Sequence, residues 1–517
     1  MNCASLFWQA CALAPPDRVA IATATRSRTF SDVGARVARL THGLAGLGIV
    51  KGSRVAIAGR NCPEYIEAYW ACTSVGATVV PLNFRLVAAE LEVVCSFTEA
   101  HAYFCEPEQA DRLRIADPFA GQKPVISWGE ARAGAIGYED LIERSSAAAA
   151  IVVDVDSDAF FAILYTGGTS GTPKAVARTH RNALAMLLLQ PGHYFGATTR
   201  TIFAATPMFH VAGQLAILAL AIGNTVVMAE GSFSAMDFLR LVERFKVNAA
   251  FVVPTMVAQL ALIAADQQFD TASLRELRSG GAPLPLEVAQ RLVRRFPSLR
   301  LGNGAGSTEA GTYASGWWEQ LGKRPYGCIG RPPVGQEISI RNEDGTECRR
   351  GGLGEILVRG GQVSPGFWKN AEKTAASHID DWLHSGDLGY IDAEGFLYLV
   401  DRKSDLIISG GENIYARELE EVLHAMGPVR EAAVVGMPDE KWGEVPVAFL
   451  TMRDGQHDTS AIEAAMTERV AAYKRPRRYV VVDAFPHTTV GKIDKRAMRA
   501  MLVPAAPALT NQGEPAT

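Results

Sequence analysis

Ten consecutive residues, Tyr165-Thr-Gly-Gly-Thr-Ser-Gly-Thr-Pro-Lys174, carry the densest concentration of chemistry in this chain. Gly167, Gly168 and Gly171 let the backbone turn tightly and bring its N–H groups close to an anion. Thr166, Thr169, Ser170 and Thr172 add hydroxyl donors, and Lys174 adds a mobile charge for phosphate oxygens. The apolar run 160–164 feeds straight into the segment, so a buried strand would deliver a loop suited to phosphate. A Walker loop ends Gly-Lys-Ser/Thr, and here Pro173 precedes the lysine. The competing reading is a flexible linker. Linkers rarely abut a buried strand and end on Pro-Lys, which favours the phosphate loop.

Four further side chains are ambiguous one at a time. Glu309, in Gly304-Ala-Gly-Ser-Thr-Glu309, reads by itself as an ordinary solvated or capping residue. Asp387 closes Trp382-Leu-His-Ser-Gly-Asp387 and reads equally as a turn. Lys492 follows Gly491 and could decorate an exposed hairpin. His210, in Pro207-Met-Phe-His-Val-Ala-Gly213, reads by itself as a satisfied core histidine.

Alternating helices and strands must position these groups. Val33, Val37, Leu40 and Leu44 share one helical face over 30–47, with Ser31 as a cap. A strand is expected over 54–58, a helix over 63–75 and a strand over 76–80, and the rhythm returns at 225–228, 238–245 and 249–253. This alternation implies a mostly parallel sheet with right-handed crossovers. From about residue 327, short segments at 337–341, 354–359 and 395–400 are separated by glycine, proline and acidic residues, as in small antiparallel sheets. Beyond the polar break Asp401-Arg-Lys-Ser-Asp405, a helix over 416–426 and strands over 431–436 and 445–452 suggest a separate lobe. The expected fold class is α/β. A large N-terminal domain of stacked mixed sheets plus a small antiparallel sheet or barrel spans 1–400. A small α+β C-terminal domain spans 406–502, and a disordered Pro/Ala-rich tail spans 503–517.

Composition bounds the function. The chain has 517 residues, 48% apolar and 21% charged, with a net charge of −4. That excludes a mostly disordered chain and a global nucleic-acid binder, so any anion must meet local positive charge. Eight cysteines without a CxxC pair fit reduced thiols better than disulfides or zinc. No Lys or Arg precedes the first apolar stretch, so no secretory signal is expected, and the longest apolar run, 211–222, falls short of the roughly 18 residues of a membrane span. The expectation is a soluble cytoplasmic protein with no nucleic-acid partner and no transmembrane segment.

YTGGTSGTPK resembles the phosphate-loop signature of the adenylate-forming superfamily, which comprises acyl-CoA synthetases, peptide-synthetase adenylation domains and luciferases. The motifs this resemblance anticipates follow in order. The segment 207–213 is similar to the family's PxFH stretch, and Ser279-Gly-Gly-Ala-Pro283 with 304–309 to its adenine and magnesium region. The segment 382–387 is similar to the ribose motif, 401–418 to the hinge and glycine stretch, and Thr489-Val-Gly-Lys-Ile-Asp494 to the C-terminal lysine motif. The likeness runs from about residue 10 to 500, and Val80-Pro-Leu-Asn-Phe-Arg-Leu86 looks like the acyl-CoA synthetase branch. The joint order is far more specific than any single motif.

The resemblance implies an ATP-dependent acid–thiol ligase. It would activate a carboxylic acid with ATP and Mg2+ to an acyl-adenylate and pass the acyl group to coenzyme A. Carboxylate and triphosphate repel each other, so the site needs cations and oriented donors where charge develops. By resemblance, the catalytic set is Lys492, Thr308, Glu309 and His210. Lys492 lies near the acid carboxylate and α-phosphate, Thr308 donates to that phosphate, and Glu309 holds the metal. Thr166 through Thr172 and Lys174 bind the phosphates. Gly281, Ala282, Pro283, Gly304, Ala305 and Gly306 border the adenine, and Asp387 with Arg402 takes the ribose. The acyl pocket is assigned to His210, Gly213, Gly280, Gly302 and Gly311. Gly410 and Gly411 would leave room for the pantetheine arm, the alternative being a simple turn before the helix. The mobile C-terminal lobe would swing about a hinge at 401–405, centred on Ser404. The basic run Lys474-Arg-Pro-Arg-Arg478 either touches coenzyme phosphates or is solvated surface. A homodimer is compatible with the resemblance.

Four positions depart from the family pattern. Ala305 replaces an aromatic residue beside the adenine, Ser385 a threonine, Ser404 a lysine or aspartate, and Ala416 a proline. The residues expected around the acid are small or apolar, which suits a fatty or aromatic acid over an amino acid. Two other readings compete: acyl loading of a carrier protein, and a nucleotide- or acyl-binding regulator without chemistry. No carrier-like serine motif follows residue 500, and Lys174, Glu309 and Lys492 are all retained. Nothing in the residues supports a luciferase-like oxygenase.

Overall fold

A computed structural model describes residues 2–116, 122–129, 134–166, 174–188, 200–263, 269–325, 327–453, 458–488 and 492–502. The chain forms two compact units, Met1–Leu399 and Val400–Thr517. The tail 503–517 lies outside the described residues.

The first unit contains two eight-stranded sheets. In one, Val19–Ala22, Thr225–Val227, Thr201–Ala204, Ala249–Val252, Glu276–Gly280 and Arg300–Ser307 run parallel, with Gly311–Trp317 and Ser27–Thr29 antiparallel at the edges. In the other, Ile136–Gly137, Val125–Ser127, Ala102–Cys105, Arg54–Ala58, Thr78–Leu82 and Phe160–Thr166 run parallel, and Lys174–Thr179 turns back antiparallel beside Phe160–Thr166. The stacked mixed sheets expected of the N-terminal domain are these two, sharing the core cluster of Ile21, Ile57, Phe161 and Ile202.

Helix Pro63–Ser74 shows what this stacking demands, since all its residues are buried. A helix enclosed on every side cannot be amphipathic, and its two acids need internal partners. Glu64 meets Arg26 and Arg28 at 2.8 Å, and Glu67 meets Arg36 at 3.0 Å and accepts from Tyr138 Oη at 2.9 Å. Helix Phe30–Gly46 buries Val33, Val37, Leu40 and Leu44 as the spacing requires. Its cap is Thr29 and not Ser31: Thr29 Oγ1 accepts from Asp32 N while Asp32 accepts from Thr29 N, a reciprocal box that Ser31, already inside the helix, cannot form.

The antiparallel texture after residue 327 is a six-stranded sheet of Cys328–Gly330, Gln336–Arg341, Gly354–Gly360, His378–Ile379, Trp382–Ile391 and Leu397–Arg402. The second unit is α+β. Strands Val429–Asp439 and Gly443–Met452 pair antiparallel, and helices Ala416–His424 and Ser460–Arg469 pack into one core with them.

Candidate active site

Strand Phe160–Thr166 delivers the phosphate loop, and Thr166 pairs with Lys174 where the chain returns. Gly167, Gly168, Thr169, Ser170, Gly171 and Thr172 lie outside the described residues. The return strand Lys174–Thr179 alternates its side chains, which puts Lys174 and Arg178 on one face. Arg178 is fully buried, and its Nη1 donates to the carbonyl of Thr308 at 2.9 Å.

Thr308 and Glu309 sit in the tight turn between Arg300–Ser307 and Gly311–Trp317, and surrounding elements hold that turn from several sides. Ser364 N donates to Glu309 O at 2.7 Å, Gln336 Nε2 to Ala310 O at 2.9 Å, Thr312 N to Gln362 Oε1 at 3.1 Å, and Ala310 N to Ser307 Oγ at 3.0 Å. A Cβ on Gly306 would lie 2.2 Å from Gly311 O, so glycine there is required by the hairpin itself. Ala305 leans on the cluster of Ala310, Tyr313 and Ile356.

Lys373, which lies in none of the motifs named above, joins this group. It lies on helix Ala371–Ser377, whose cap Asn370 accepts from its N–H at 2.9 Å. Burial and the neighbouring Lys174 ammonium lower the Lys373 pKa, and Glu309 pulls the other way. Lys373 thus adds a second cation beside Lys174, the local positive charge a polyphosphate requires. Among the described residues no three His, Cys, Asp or Glu side chains gather as an all-protein metal cage. Magnesium arriving with phosphate ligands needs only one or two carboxylates, and Glu309 in this setting fits it.

Asp387 is buried in strand Trp382–Ile391, where the Tyr313 hydroxyl donates to it and Ser385 Oγ accepts its N–H at 3.1 Å. Ser385 in turn donates to Ile356 O at 2.6 Å, so the hydroxyl kept at this position fixes the turn before Asp387. Gly281 follows strand Glu276–Gly280 with φ of +84°, and Ala282 and Pro283 continue exposed.

His210 is half-buried, its ring 4.3 Å from that of Phe209, at the start of helix Val211–Leu220. Gly213 has a packing reason of its own: a Cβ there would lie 2.1 Å from Pro207 O. Gly280 and Gly302 lie on neighbouring strands, and Gly311, with φ of +69°, closes on Gln362.

In the second unit, Arg402 is exposed, and its backbone N–H donates to the buried Asp401 at 2.7 Å. Ser404 occupies the 3-10 turn Lys403–Asp405. Asp405 lies 3.7 Å from both Lys495 and Arg499 of helix Lys495–Leu502, and Lys495 also meets Glu420 at 2.7 Å. Gly410 and Gly411, with φ of +59° and +86°, make the two-residue turn between strands Leu406–Ser409 and Glu412–Tyr415, so a strand separates them from the helix at Ala416. Lys492 is exposed, held by Lys492 N to Thr488 Oγ1 at 3.2 Å and Thr488 N to Lys492 O at 2.7 Å. Lys474 meets Glu418 at 2.8 Å.

A stacked-sheet unit with a phosphate-loop strand and a pinned acidic turn, followed by a small α+β unit bearing a lysine, defines an adenylate-forming enzyme. Comparison with known proteins agrees. The AMP-binding enzyme family matches residues 7–368, and the AMP-binding enzyme C-terminal domain matches 418–492. A feruloyl-CoA synthase from Amycolatopsis is 34% identical over 487 residues, covering 94% of this chain and 96% of that protein. An indoleacetate–CoA ligase from Aromatoleum aromaticum is 32% identical over 493 residues, covering 94% and 96%. The o-succinylbenzoate coenzyme A synthetase of Bacillus subtilis, solved with ATP and magnesium, superposes with a TM-score of 0.82 at 28% identity, covering 94% of this chain and 98% of that one. The chain belongs to the AMP-binding enzyme family, in its acyl-CoA synthetase branch.

Proposed function

We propose that this ligase activates an apolar fatty or aromatic acid, in two half-reactions at one site. In the first, an oxygen of the acid attacks the α-phosphorus of ATP and pyrophosphate leaves. In the second, the coenzyme A sulfur attacks the acyl carbon, the thiol proton is lost and AMP leaves. The observation that carries this reading is the turn bearing Thr308 and Glu309, fastened by the buried Arg178, with Lys373 beside both Lys174 and Glu309. Fixed cations in place before reaction cost no reorganisation when charge moves onto the leaving pyrophosphate.

The residues divide the work. Lys174 and the hydroxyls of the phosphate loop orient the β- and γ-phosphates, Thr308 donates to the α-phosphate, and Glu309 holds the magnesium. Bound there, the ion would supply positive charge to offset that of the phosphates. Asp387, fixed by Tyr313, accepts from the ribose hydroxyls, with Arg402 assisting. Lys492 supplies the positive charge that brings carboxylate and α-phosphate together. The second unit turns about 401–405 between the half-reactions, withdrawing Lys492 and presenting Gly410 and Gly411 to the pantetheine arm. His210 borders the acid. The aromatic acids named in the two relatives and the small, apolar residues at Gly280, Gly302 and Gly304 support an aromatic or aliphatic acid. Eight free thiols suit a reducing compartment, the cytoplasm.

An acid panel with ATP, magnesium and coenzyme A tests this, following pyrophosphate and thioester together. Both should appear in equal amounts with a benzoate or fatty acid. Preference for an amino acid, or thioester formed only on an added carrier protein, would overturn it.

A further inference from the structure

One guanidinium, on the face of the first sheet that Gly280 and Gly302 share by register, has no carboxylate to neutralise it among the described residues. Arg278 lies two residues before Gly280 on strand Glu276–Gly280, so both point to the same face. Its partners in register are Phe251 and Gly302. Leu277 points the other way, into a cluster with Ala250 and Leu301. The position is closely fitted. A Cβ on Gly302 would come within 3.0 Å of Arg278 Cγ and 3.2 Å of the Trp317 ring, so the bare glycine is what lets both side chains cross the strand. The guanidinium carbon stacks 3.8 Å from the centre of the Trp317 ring, and that of Arg300 lies 4.1 Å from the same centre.

Stacking satisfies the flat face of a guanidinium but not its N–H edge. The Arg278 Nε–H is buried with no acceptor, and among the described residues no carboxylate pairs with this side chain. Glu276, two residues away, is committed to Arg200 at 3.1 Å, and Glu319 pairs with Arg300 at 3.3 Å. Burial and the like charge of Arg300 push the Arg278 pKa down to about 9, which leaves it cationic at neutral pH. A desolvated cation beside a second cation is costly, and an apolar side chain of similar volume would avoid the penalty.

We propose that Arg278 is a specificity-determining residue that selects acids bearing a second acceptor, best a carboxylate, at the end remote from the one activated. This rests on the ligase reading above and narrows it to an apolar body with one charged end. The distal carboxylate accepts from the N–H edge that Trp317 leaves open, a charge-assisted contact. An acid ending in a methyl group leaves the cation buried and unpaired, the situation in which a polar site discriminates most strongly.

Matched pairs test it: terephthalate against 4-methylbenzoate, and suberate against octanoate, with the wild type, Arg278→Met and Arg278→Lys. The wild type should favour the diacid of at least one pair by about tenfold or more in kcat/KM. Arg278→Met should reverse that ratio, and Arg278→Lys should keep part of it. Preference of the wild type for the methyl-ended acid in both pairs overturns the proposal, as does an unchanged ratio in Arg278→Met. If Arg278→Met does not fold, the wild-type ratio and its change in Arg278→Lys decide. Thioester from neither member of either pair, nor from any other acid, would instead sink the ligase reading and this inference with it.

Discussion

The Thr308–Glu309 turn and the Lys492 hairpin, both proposed to serve the adenylation step, are built in opposite ways. The turn is half-buried, fastened by Arg178, Gln336, Gln362 and Ser364, and backed by a close-packed hairpin. Lys492 is exposed, and Thr488, four residues before it, holds its backbone through Lys492 N to Thr488 Oγ1 and Thr488 N to Lys492 O. Groups that must be in place before charge develops need a surrounding that cannot relax. A group that has to arrive and leave needs the reverse, a small and locally supported carrier.

The comparison breaks most visibly at Lys492. Lys492→Ala should lower acid-dependent pyrophosphate exchange by about 10²- to 10³-fold, the scale of removing one electrostatic contact in a transition state. Its melting temperature should be unchanged, and thioester formation from a supplied acyl-adenylate should persist. Full exchange activity in this variant would remove the role assigned to it.

The pinned side should instead reveal itself through stability. His180 closes the strand that carries Lys174 and Arg178, its Nδ1 accepts from Cys3 N at 3.2 Å, and its ring meets Phe161. Burial lowers its pKa from 6.5 to about 4. The folded state therefore holds this ring neutral while the unfolded state protonates it. The stability it contributes is complete above pH 6.5, falls as the pH drops from there, and is gone near pH 4, a loss of up to about 3 kcal/mol. Urea midpoints across that window should fall less steeply for His180→Gln than for the wild type.

Arg178→Met separates positioning from structure. A buried cation replaced by an apolar side chain of similar length is often neutral or stabilising. Thr308 O loses its donor, however, so kcat/KM for MgATP should fall about 10- to 100-fold with the melting temperature held or raised. Equal losses of stability and activity would make Arg178 merely structural. The smallest effect is expected at Tyr313→Phe, which removes the donor to Asp387. The KM for ATP should rise by about five- to tenfold, near 1 kcal/mol, with kcat little changed.

Much of this was legible in local pattern. The apolar spacing of Val33, Val37, Leu40 and Leu44 sets one helix face, and the paired glycines 410 and 411 mark a turn. Ser31 is as acceptable a cap type as Thr29 for helix Phe30–Gly46, and only the Asp32 box, two residues' difference in the cap, distinguishes them. Arg178, Lys373, Tyr313 and Arg278 gave no signal at all. Each is an ordinary residue for its strand or helix, and its meaning depends on partners far away in the chain.

Sequence alone therefore determined what local order can encode: the alternation of elements, the motif sequence and the family those motifs name. Only the tertiary structure decided which charges are neutralised and which are left waiting. Burial and pairing depend on segments such as 174–178, 276–280, 308–317 and 373 meeting in space. No local pattern records the distance between a guanidinium and its nearest carboxylate.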